Sequence, residues 1–169
     1  MKIQVKKIVV SGMLVALAVS LSTFAIPIGA SKCFPIQHLV NVIAAVFLGP
    51  VYGVSIAFCT SVIRNLMGTG SLLAFPGSMV GAFLGAFLYQ KTRKFLAAYV
   101  GEIFGTGILG GILCYPVATL LMGKEAAVFA YVVPFLMSTA CGTLMAAVLV
   151  ESLDKSGVLQ YLGHMLAKE

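Results

Sequence analysis

The chain has 169 residues, 60% of them hydrophobic and 9% charged, with a mean hydropathy of +1.07. A water-soluble domain carries about 25% charged residues, so composition excludes an ordinary soluble globule. The length fits one all-α integral membrane domain of about six helices of ~20 residues each. The net charge of +6 does not indicate nucleic acid. The basic residues cluster at Lys2, Lys6 and Lys7 and at Lys91, Arg93 and Lys94, beside apolar runs, as at cytoplasmic membrane edges. No basic face interleaved with aromatics is present to stack bases. Cys33, Cys59, Cys114 and Cys141 show no metal-ligand spacing. Three of them lie inside apolar runs and read as buried thiols.

In chain order, the first predicted helix covers residues 8–28 and reads as a retained span rather than a cleaved leader. Gly12, Ala16 and Ser20 recur at intervals of four, as do Ala18 and Ser22 one face round. Small residues at that spacing permit close helix approach, either within this chain or to a separate membrane subunit. Residues 29–34 form an outer loop. The second helix, 35–48, starts on Pro35 and stops at Gly49-Pro50. At ~21 Å it is short of a ~30 Å hydrocarbon core. The third helix, 51–66, carries Gly53, Ala57, Ser61 and Asn65 on one face, and the fourth, 76–90, is again short and ends at the basic cluster.

The fifth helix, 95–122, is glycine-rich and contains Pro116, a candidate kink. Residues 123–125 form an outer turn, and the sixth helix covers 126–150 with Pro134 in its outer half. The tail, 151–169, keeps apolar residues at helical spacing and suits the inner membrane surface. With both termini inside, the inner side holds Lys2, Lys6, Lys7, Lys91, Arg93, Lys94, Lys155 and Lys168, against Lys32, Arg64 and Lys124 outside.

The two short helices share a pattern. Each opens on a Phe-Pro step, Phe34-Pro35 or Phe75-Pro76, followed by polar residues, and each begins on the outer side. Their starts are expected to be recessed and to face each other across a dent, because irregular backbone at membrane depth is tolerated where it lines a cavity. Gln37, His38 and Asn41 offer donors and acceptors on one helical turn. Arg64 and Asn65 end the third helix, and Thr69, Ser71 and Ser78 add hydroxyls. Phe34, Phe75, Tyr115 and Tyr131 suit stacking on a flat ring.

Each of these residues also has a plainer reading. His38 fits a structural histidine, Arg64 an interfacial snorkel, Ser78 a bond to its own helix, and Tyr115 and Tyr131 an interfacial belt. Glu102 is expected to pair with the basic cluster, away from the dent. The chain lacks a Gly-x-x-x-x-Gly-Lys-Ser/Thr phosphate loop, a Gly-x-Ser-x-Gly elbow and a His-Glu-x-x-His pair. No energy source is visible, so a partner is expected to supply one.

The runs FPIQHLVNVIAAVFLGP and RNLMGTGSLLAFPGSMVGA resemble those of the ThiW family, and residues 8–150 as a whole resemble the substrate-binding S-components of energy-coupling factor (ECF) vitamin transporters. The resemblance implies six transmembrane helices and a site on the outer side, built from the first and third outer loops and the helices beneath them. It implies a small neutral heteroaromatic ligand, hydroxyethylthiazole, and no cofactor on this chain. It also implies docking to a transmembrane coupling subunit that carries two ATPases, with ATP used by those partners. The docking stripe would be Gly12, Ala16 and Ser20, or Ala18 and Ser22. The implied location is a prokaryotic plasma membrane. Alternatives are an S-component for the pyrimidine half of thiamine or for thiamine itself, a membrane-embedded enzyme with His38 as base, and an oligomeric channel.

Overall fold

A computed structural model of the chain describes residues 5–28, 31–125 and 127–167. Among them are seven helices and one two-stranded hairpin. Helix α1 is Val5–Ser20, continued by a tighter turn at Leu21–Thr23, and strands β1, Ile26–Ile28, and β2, Ser31–Cys33, pair antiparallel. Then follow α2, Pro35–Phe47, α3, Pro50–Leu66, and α4, Ala74–Thr92. Helix α5, Phe95–Leu121, contains wider π-helical stretches at Ile103–Gly110 and Val117–Leu121. Helix α6 is Val132–Lys155 and α7 is Val158–Ala167.

Three helical segments are long and apolar enough to cross a membrane: Val5–Thr23, Phe95–Leu121 and Val132–Lys155. The side-chain distribution agrees. The interior is built from small residues such as Ala44, Ala57, Ala86, Ala98, Ala118 and Ala146, whereas Phe58, Phe83, Leu120, Phe129 and Leu144 point outward. Water-soluble proteins rarely expose apolar surface on that scale. Close packing of small residues inside with large ones outside is the membrane solution.

Proline explains most of the departures from the expected boundaries. The first helix ends near residue 23 rather than 28, because the residue before Pro27 is disfavoured in the α region, and the chain turns into the hairpin instead. Helix α6 starts at Val132 rather than 126. A helix running through Pro134 from residue 126 would lose a backbone bond and clash, at about 3 kcal/mol. Beginning at Val132 puts Pro134 in the first turn, where the amides have no helical partner anyway. Helix α4 likewise begins at Ala74, ahead of Pro76. Pro116 does not break α5, since the wider turn at Val117–Leu121 follows it directly.

The tail folds back rather than running free. Gly157, at φ +74°, separates α6 from α7, Leu166 packs on the Ala18–Val40–Ala44–Ile56 cluster, and Lys6 Nζ donates to the Met165 carbonyl at 3.1 Å. The reading of the thiols needs one correction: Cys33 and Cys114 are buried, but Cys59 is exposed, on the outward face of α3. Lys2, Gly29, Ala30, Ala126, Lys168 and Glu169, which the sequence reading used, lie outside the described residues.

Helices α4 and α5 pack closely through glycines. A Cβ on Gly101 would lie 2.6 Å from Gly85 Cα, one on Gly105 2.8 Å from Gly81 Cα, and one on Gly110 2.6 Å from Gly77 Cα. Backbone therefore meets backbone along three turns. Gly101→Ala is expected to destabilise the protein by about 1–3 kcal/mol through overpacking. Gly12→Ala, whose added Cβ meets nothing within 4 Å, should not destabilise it, since alanine is the better helix former. Thermal unfolding of both variants in detergent checks this.

Candidate functional site

The ends of several helices gather at one side of the bundle around a cavity of about 600 Å³, within the size range of small-molecule sites. Ser22, Thr23 and Ala25 close it from the connection after α1. Phe34, Gln37 and His38 come from the start of α2, and Arg64 from the end of α3. The turn Gly68–Thr69–Gly70–Ser71 and the start of α4, with Ser78, add a second wall, and Tyr131, Pro134, Phe135 and Ser138 at the start of α6 add a third.

The α3–α4 turn folds back over Arg64. Gly68 takes φ +72°, and the amides of Thr69 and Gly70 both donate to the Arg64 carbonyl at 2.9 Å. Asn65 Nδ2 donates to the carbonyls of Ser61, at 2.8 Å, and Ser71, at 3.1 Å, and so pins the turn. The Arg64 guanidinium is thereby drawn inward to 3% exposure. It donates to Gln37 Oε1 and to the Thr69 carbonyl at 3.3 Å, and it lies 4.4 Å from the centre of the Phe34 ring, a cation–π distance. Its Nε is buried without a partner. Arg64 is not an interfacial snorkel; the folded-back turn prevents it.

A directed hydrogen-bond chain runs from Arg64 along the cavity floor. Gln37 accepts from Arg64 with its oxygen, so its amide nitrogen donates to Ser61 Oγ, at 3.4 Å. Ser78 Oγ donates to the Ala74 carbonyl at 2.7 Å, so in the 3.3 Å Ser61–Ser78 pair it accepts. Asn41 Nδ2 donates to the Ser78 carbonyl at 3.2 Å and to Glu102 Oε1 at 3.0 Å. The same carboxylate oxygen takes His38 Nδ1 at 2.9 Å and Thr106 Oγ1 at 3.0 Å.

Glu102 is therefore the main correction to the sequence reading. It does not reach Lys91, Arg93 or Lys94. It is 1% exposed, held at the deep end of the site because Gly81 leaves space there. A Cβ on Gly81 would sit 2.8 Å from Glu102 Oε2 and 1.9 Å from Thr106 Oγ1. Sequence reasoning missed Glu102 because its nearness in the chain to the basic cluster suggested a partner that the helix rotation does not supply. The available signal was an acid inside an apolar span, which is costly unless it has a function.

Of the residues singled out from sequence, Phe34, Gln37, His38, Arg64, Thr69, Ser71, Ser78 and Tyr131 line the cavity. Asn41 is fully buried beneath it, and Asn65 serves the turn. Phe75 turns away to pack on Phe58, with ring centres 5.8 Å apart, and Tyr115 is not in the lining. Ser138 and Phe135 were missed because the start of α6 was placed six residues too early. The cavity also draws on the connection between α3 and α4, beyond the first and third outer loops that the resemblance implied. The two small-residue stripes of α1 separate. Gly12, Ala16 and Ser20 face outward, while Ala18 packs inside and Ser22 enters the site, within 3.4 Å of Thr69 Oγ1.

Apolar helices long enough to span a membrane, with a ligand-sized cavity at one end, define a helical membrane protein. The family comparison is more specific: residues 8–156 match ThiW, the thiamine-precursor transporter protein, and the chain belongs to that family. No curated protein and no solved structure matches it.

The start of α2 is held by Ser138, whose Oγ accepts the Phe34 amide at 2.9 Å. Ser138→Ala should cost about 1–3 kcal/mol by leaving that donor unpaired. Hydrogen exchange should show faster loss of protection at residues 34–38 than elsewhere in α2.

Proposed function

We propose that this chain is the substrate-binding S-component of an ECF-type importer and that its cavity takes hydroxyethylthiazole or a close, uncharged thiamine precursor. The observation that carries the reading is the cavity wall itself. Fixed hydrogen-bonding groups from four helix ends, Gln37 and His38, Arg64, Ser78 and Ser138, line a cavity of about 600 Å³ together with Phe34, Phe135 and Tyr131. A neutral ligand would gain affinity from enclosure and a few oriented bonds.

The buried Arg64 and the lack of a carboxylate among the described residues that line the cavity, with Glu102 buried behind His38, disfavour cationic thiamine as the cargo. Glu102 does give His38 the acid partner that a general base needs. In a member of a transporter family, the pair is better read as a recognition group than as catalytic machinery.

In this reading α1 through α6 make six membrane segments. Helix α2, with 13 residues, rises only ~20 Å, so its Phe34-Pro35 tip would lie below the outer surface of a prokaryotic plasma membrane, with both termini in the cytoplasm. The chain would bind no cofactor. ATP would be used by two ATPases attached to a coupling subunit, docked on the outward stripe Gly12, Ala16 and Ser20.

Purified protein should bind hydroxyethylthiazole, and Arg64→Met or Gln37→Leu should weaken binding at least ~10-fold, equivalent to 1.4 kcal/mol. Titration calorimetry measures both. Binding of riboflavin or biotin in place of the thiazole would overturn the substrate and leave the transporter class standing. Ala16→Leu should prevent copurification with the coupling subunit while leaving ligand binding intact.

A further inference from the structure

We infer that Glu102 is a positioning residue that keeps the His38 proton on Nδ1, so that the deep end of the cavity is a hydrogen-bond acceptor and the site selects ligands carrying a hydroxyl or N–H donor. The inference rests on the proposal that this cavity holds the cargo, and it deepens that proposal by assigning polarity to the two ends of the site.

The geometry is as follows. Glu102 Oε1 lies 2.9 Å from His38 Nδ1 and also receives Asn41 and Thr106. A carboxylate only accepts when ionised, so Nδ1 must carry hydrogen. His38 lines the cavity. Its Nε2 makes no hydrogen bond with the described residues and is not among the sealed, unpartnered atoms, so it has access to the cavity space.

The hydrogen-bond pattern orients the ring. Glu102 Oε1 is the shared acceptor for Asn41 Nδ2 and Thr106 Oγ1, so it also accepts from His38 Nδ1, and in that tautomer Nε2 keeps a free lone pair.

The cavity then has two unlike poles. Arg64, which has donors only, reads an acceptor such as a ring nitrogen. His38 Nε2, an acceptor only, reads a hydroxyl. Their orientations are set by second partners before the ligand arrives, and sites of this kind reject analogues that lack the matching group, because a buried polar atom is left unpaired.

Three measurements on the intact, detergent-purified chain test this. First, wild-type protein should bind hydroxyethylthiazole at least ~10-fold more tightly than its O-methyl ether, since only the alcohol can donate to Nε2. Equal binding of the two overturns the inference. Second, Glu102→Gln, whose amide oxygen can still accept from Nδ1, should keep that preference, while Glu102→Met should erase it. A preference that survives Glu102→Met, or is lost in Glu102→Gln with the fold intact, overturns it.

Third, nitrogen NMR of labelled histidine in a His164→Gln background, which leaves His38 as the one histidine, should show a protonated Nδ1 and a bare Nε2. An imidazolium or the opposite tautomer overturns the inference without any ligand and whether or not the Glu102 variants fold. If neither thiazole binds, the cargo reading fails, and the NMR result still decides the role of Glu102.

Discussion

The structure depends on the close approach of α4 and α5. Gly77, Gly81 and Gly85 meet Gly110, Gly105 and Gly101 with backbone almost touching backbone. In a bilayer no hydrophobic drive draws helices together, so association rests on such packing and on internal polar bonds. Here the two are coupled. The absence of a side chain at Gly81 makes room for Thr106 and the Glu102 carboxylate, and from there Glu102 reaches His38 and Asn41 on α2.

That placement fixes the electrostatics of the interior. Arg64 and Glu102 are linked by side-chain bonds through Gln37, Ser61 and Ser78 and, by way of the Ser78 backbone carbonyl, through Asn41. Each intermediate group has its donor and acceptor sides assigned by its neighbours: Gln37 must present oxygen to Arg64, and Asn41 must present nitrogen to Glu102. A network in which orientations are set on both sides is rigid before a ligand arrives, which limits the entropy lost on binding. Asn41 Oδ1, Glu102 Oε2 and Arg64 Nε are buried without a hydrogen-bond partner, a cost that the close packing around them has to offset.

Much of the arrangement is legible in the chain. The Phe34-Pro35 step marks the start of α2 to the residue, and Gly49, at φ +85°, separates α2 from α3. Of the stretch from Arg64 to Ser78, Arg64, Gly68–Ser71, Leu73, Ala74 and Ser78 line the cavity, whereas Phe75 packs on Phe58. The errors are also instructive. Pro27 and Pro134 carried the true limits of α1 and α6, but apolar composition on both sides of each masked them. Placing α6 too early removed Tyr131 from its helix start and hid Phe135 and Ser138.

Composition by itself determined that this chain belongs in a membrane and that its polar residues are few and costly, because hydropathy and proline or glycine punctuation act locally. Which polar groups meet was decided only by tertiary structure. Glu102 lies 64 positions from His38 and 8 from the nearest residue of the basic cluster, Lys94. Sequence distance favours the wrong partner, and only the rotation of α5, set by glycine contacts with α4, turns the carboxylate inward. The two stripes of α1 separate for a similar reason: α2 and α3 pack against the Ala18 side and leave Gly12, Ala16 and Ser20 outward, and no local pattern records which side of a helix its neighbours will occupy.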